Sequence, residues 1–112
     1  MKIQHKDLAS GRWHTFSLME QMGNVGSEVH RALVWREKDK NAYQQAADRA
    51  LELMDLVLQD PRWREIPGRL KELARAREAI CDALDGGKEY GSTLDALDSY
   101  FFQFALAARI HK

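Results

Sequence analysis

The chain has 112 residues, of which 45% are hydrophobic and 30% charged, which suits one globular domain with its own core and excludes intrinsic disorder. Seventeen basic residues balance seventeen acidic ones, so the overall field does not recruit nucleic acid, anionic membrane or acidic ligands, and any such binding needs a local patch. A single cysteine, Cys81, excludes an intrachain disulfide framework.

The opening Met1-Lys2-Ile3-Gln4-His5-Lys6-Asp7 lacks the apolar run of a secretory signal, and no stretch of about 18 uncharged apolar residues follows. A cytoplasmic protein with no membrane partner is the expectation. The apolar residues recur at three and four, the helical period. A first helix is expected over 11–36, with Ser10 as N-cap. Leu18, Met22, Val25, Gly26, Val29 and Ala32 fall on one arc, with Glu28 and Arg31 opposite. Asn41 is expected to cap a second helix over 42–59, with Gln44 completing a capping box. Its core face runs through Ala46, Ala50, Leu53 and Val57, while Asp48, Glu52 and Asp55 make an acidic row read as solvated. Asp60-Pro61 ends it, because a residue before proline avoids the helical region. Pro67 opens a third helix over 67–84, striped by Leu70, Leu73, Ile80, Cys81 and Leu84. Gly86 is the left-handed stop. A fourth helix spans 93–111, with Leu94, Leu97, Tyr100, Phe101 and Phe104 toward the core. Four amphipathic helices with short connections predict an all-α, antiparallel up-down four-helix bundle. Trp13 and Trp63 sit near element ends, where they would lid the bundle.

Motifs for chemistry are sparse. None of His5, His14, His30 and His111 has a glutamate three residues before it, which removes the Glu-x-x-His pattern of bundle di-metal sites. Cys81 and the scattered histidines give no zinc pair at helical spacing. Gly86-Gly87-Lys88 is followed by Glu89, not Ser or Thr, so it is not a P-loop. Neither a catalytic residue nor a cofactor or metal is assigned. Four-helix toxin ribonucleases use an arginine, then four to six residues, then a histidine; the positions five to seven before His14, His30 and His111 hold no arginine. In length and architecture the chain resembles small uncharacterised prokaryotic four-helix-bundle proteins, a resemblance that implies a fold and no reaction.

Two surfaces remain. Phe102, Leu106 and Ile110 form a second apolar stripe, at i, i+4 and i+8, on the outward side of the last helix. They are the expected interface with another copy of the chain. Gly23 and Gly26 interrupt the first helix at a cost of about 1 kcal/mol each; close packing within the bundle is the first account of them, and a part in the self-association surface is the alternative. The segment 62–77 is basic, and Arg62, Arg64, Arg69, Lys71 and Arg75 could contact phosphates, with Trp63 stacking. Arg77 falls inside the apolar arc of its helix and needs a route to solvent or an acid. The leading expectation is a non-enzymatic helical interaction protein that self-associates, with a further protein partner possible. The alternative is a small nucleic-acid-binding accessory protein.

Overall fold

Ser17 and Glu20 form a reciprocal capping box, and this pair decides where the first helix begins. The Ser17 hydroxyl accepts from the Glu20 N–H at 3.1 Å, and the Glu20 carboxylate accepts from the Ser17 N–H at 3.0 Å. In the computed structural model, which describes residues 12–110, helix α1 therefore spans Leu18–Trp35 rather than 11–36. Ahead of it lies a 3-10 turn, Arg12–Thr15. The Ser10 cap falls outside the described residues.

Four further α-helices follow: α2 Lys40–Gln59, α3 Pro61–Arg64, α4 Pro67–Leu84 and α5 Leu94–Ile110. The described residues contain no strand. Asp39, not Asn41, caps α2, because its carboxylate reaches the N–H groups of Asn41 and Ala42 at 3.0 and 3.1 Å. Gln44 instead donates to Asp48 one turn on. Asp60 ends α2 as expected, but it also caps α3, a single turn that sequence reading did not separate. Thr93 caps α5 through a 3.1 Å bond from the Ala96 N–H.

The end of α4 is a Schellman motif. Gly87 N–H donates to Asp82 O at 2.7 Å and Gly86 N–H to Ala83 O at 3.2 Å. Both glycines have positive φ, 85° at Gly86 and 73° at Gly87. The following loop folds over the carboxylate of Asp82, which accepts from the N–H groups of Glu89, Tyr90 and Ser92 at 2.8–3.1 Å. Burial alone would raise the Asp82 pKa, but these backbone donors outweigh it and hold the group below the usual carboxylate range. The glycine-rich loop thus carries an internal anion, the side chain of Asp82.

α1 packs along both α5 and α2, and α2 packs on α4, whereas α4 and α5 touch over little of their length. The core contains Met22, Val25 and Val29 from α1, Leu53, Met54 and Val57 from α2, Leu73 and Ile80 from α4, and Leu94 and Phe101 from α5. Leu70, Cys81 and Leu84, placed on the core stripe by spacing, are only half-buried. No helix among the described residues is long and apolar enough to cross a membrane.

Candidate functional site

The outer face of α5 carries the largest aligned apolar exposure. Phe102, Leu106 and Ile110 are 60%, 45% and 67% exposed, so the three residues of the outward stripe all reach solvent. Successive members are four residues apart, about 6 Å along the axis and about 40° around it. Asp95 and Arg109 are exposed near the two ends of the same helix, and neither makes an ion pair among the described residues.

Beside that stripe runs a groove of about 710 Å³ between α1 and α5, lined by Gly23, Gly26, Ser27, Phe102 and Ala105 among others. The two glycines create the close approach of these helices. A Cβ on Gly26 would stand 2.6 Å from the Phe101 Cβ, and one on Gly23 would stand 3.3 Å from the Ala105 Cα. They serve packing within the chain while also lining the groove beside the apolar stripe. His30 lies here too. It is exposed, with Nδ1 3.1 Å from Asp98 Oδ1 across the α1–α5 seam.

The basic segment is dispersed by its own partners. Arg62 is held by Asp60 at 2.7 Å, Arg69 lies 3.7 Å from Glu72, and Arg77 donates to Asp55 at 2.7 Å. The Arg77 side chain is 35% exposed; its arginine stem leaves the core and meets the acidic row of α2. Arg62 also covers Trp63, its guanidinium carbon 4.4 Å from the ring centroid, and the Trp63 N–H donates to Gln21 at 2.8 Å. Arg64, Lys71 and Arg75 remain exposed without an ion pair among the described residues. Lys71 and Arg75 border a groove between α4 and α5 that Tyr100 also lines.

A polar cluster at one end of the molecule was not legible as a unit. Asp60 and Gln21 are both fully buried. Gln21 Nε2 donates to Trp13 O and to Asp60 Oδ2, each at 3.0 Å. Arg62 gives Asp60 its backbone N–H and two guanidinium bonds, and reaches Phe16 O at 2.8 Å. His14 Nδ1 lies 3.4 Å from Asp60 Oδ2. Burial by itself would raise the Asp60 pKa, but the bonds from Arg62 and Gln21 and the arginine charge overcome it and hold the group far below the ordinary carboxylate range. This cluster fastens the 3-10 turn, and with it fully buried Trp13, to α1 and the α2–α3 junction.

Two acids read as solvated are in fact covered. Glu28 is 2% exposed and Glu52 7%. Arg31 donates to Glu28 Oε1 at 2.6 Å, and Arg49 of α2 lies 3.5 Å from its Oε2, outside hydrogen-bond geometry. The α1–α2 contact is broader than a helical wheel shows, because arginine stems extend it over the flanks. Among the described residues no group of three or more His, Cys, Asp and Glu side chains could hold a metal ion. No family model, curated protein or solved structure matches this chain.

Proposed function

We propose that this protein is a non-enzymatic helical module that self-associates through the outer face of α5, its four long helices forming an antiparallel up-down bundle. The observation that carries the reading is the aligned exposure of Phe102, Leu106 and Ile110. Scattered apolar residues are ordinary on a surface, whereas a continuous stripe exposes area that favours a partner. At about 25 cal/mol per Å² of apolar surface removed from water, covering such side chains favours association by several kcal/mol before its entropic cost. Short connections between consecutive long helices support the up-down order.

The test is Leu106→Asp, which puts a charge in the middle of the stripe. Light scattering should show a smaller species than wild type, while circular dichroism keeps the helical signal. An unchanged assembly in a folded variant would remove α5 from the interface.

A further inference from the structure

We propose that the occupant of the α5 face is the same face of a second copy, running antiparallel about a two-fold axis near Phe102. This rests on the self-association reading and adds its orientation and register. Asp95, Phe102 and Arg109 stand at i, i+7 and i+14. On a regular helix Asp95 and Arg109 each fall about 20° from Phe102, on opposite sides of it, and Leu106 lies about 40° from Phe102. The face therefore reads acid, apolar centre, base, with the two charges equally spaced from Phe102. Rotation about an axis at Phe102 carries position 95 onto position 109, so Asp95 of each protomer faces Arg109 of its partner. Both pairs form at once, as a self-complementary two-fold contact requires. A parallel pairing would set Asp95 against its own copy and Arg109 against its own copy, with like charges opposed at both ends. The helix dipoles favour the antiparallel arrangement as well. Phe102, 60% exposed, borders the α1–α5 groove.

Sedimentation equilibrium of wild type, Asp95→Arg, Arg109→Asp and the double exchange tests the arrangement. Each single exchange opposes like charges twice per dimer and should raise the dimer Kd by about tenfold at low salt, and less at high salt, where exposed charges are screened. The double exchange restores both pairs and should return Kd to within about threefold of wild type. Asp95→Asn and Arg109→Gln should shift Kd in the same direction by less, and circular dichroism checks that every variant stays helical. A wild-type dimer whose Kd ignores the single exchanges, or a double exchange no tighter than the singles, overturns the antiparallel register while leaving self-association standing. A wild type that stays monomeric at several hundred micromolar overturns both.

Discussion

Asp60→Ala should lower the unfolding free energy by about 3 kcal/mol, one of the two largest single-site losses expected here. The change removes the cap of α3, a loss of about 1 kcal/mol. It also leaves the fully buried Gln21 amide without its Asp60 acceptor, and an unsatisfied buried donor costs about 1–3 kcal/mol. Arg62 loses its anchor, so the 3-10 turn and Trp13 are released with it. Asp60→Asn should be nearly as damaging, because an amide group would direct N–H donors at Arg62 or Gln21, which are donors themselves. The Asp60 pKa is lowered by folding. Its contribution is therefore complete above the unfolded carboxylate value near 4 and is lost progressively as pH falls below it. Urea unfolding at pH 7 should separate wild type from Asp60→Ala widely, and the gap should narrow progressively as pH falls below about 4. Equal stabilities at pH 7 would show that the cluster does not hold this end of the molecule together.

Gly26→Ala should destabilise by about 2 kcal/mol despite the better helix propensity of alanine. The added Cβ would meet the Phe101 Cβ at 2.6 Å. That atom is fixed to the α5 backbone, and its ring is fully buried, so the two helices must separate. Overpacking of this kind costs about 1–3 kcal/mol or somewhat more, against about 1 kcal/mol gained from propensity. Gly23→Ala meets Ala105 at 3.3 Å, and a small displacement accommodates it, so its effect should be much smaller. Gly68→Ala, in the first turn of α4 with nothing within 4 Å, should be neutral or slightly stabilising. Thermal unfolding of the three variants orders them, and Gly26→Ala melting as high as Gly68→Ala would contradict the close α1–α5 approach.

Much of this architecture was legible because it rests on local periodicity. Pro67, Gly86 and the α4 stripe marked Pro67–Leu84, and the exposed row at Phe102, Leu106 and Ile110 followed from spacing alone. The start of α1 was missed because apolar periodicity was extended across Ser17, although Ser17-Leu18-Met19-Glu20 carries the capping-box pattern in plain view. Asp60-Pro61 was read only as a stop. An aspartate before proline is equally a cap followed by a favoured first residue, and that signal would have found α3. Gln21 could not be read locally, since its partners Asp60 and Trp63 lie 39 and 42 residues away. Glu28 and Glu52 were misplaced because a wheel scores only one helix, and burial here comes from what the neighbouring helix lays over the flank. The basic segment looked continuous in sequence, but Asp55, Asp60 and Glu72 divide it, and two of these lie outside the 62–77 window.

The native mass of the wild-type protein tests self-association most directly. Multi-angle light scattering across a dilution series from several hundred micromolar downward should give twice the 12.9 kDa chain mass at the top and fall toward 12.9 kDa on dilution. A mass of 12.9 kDa at every concentration would contradict the account.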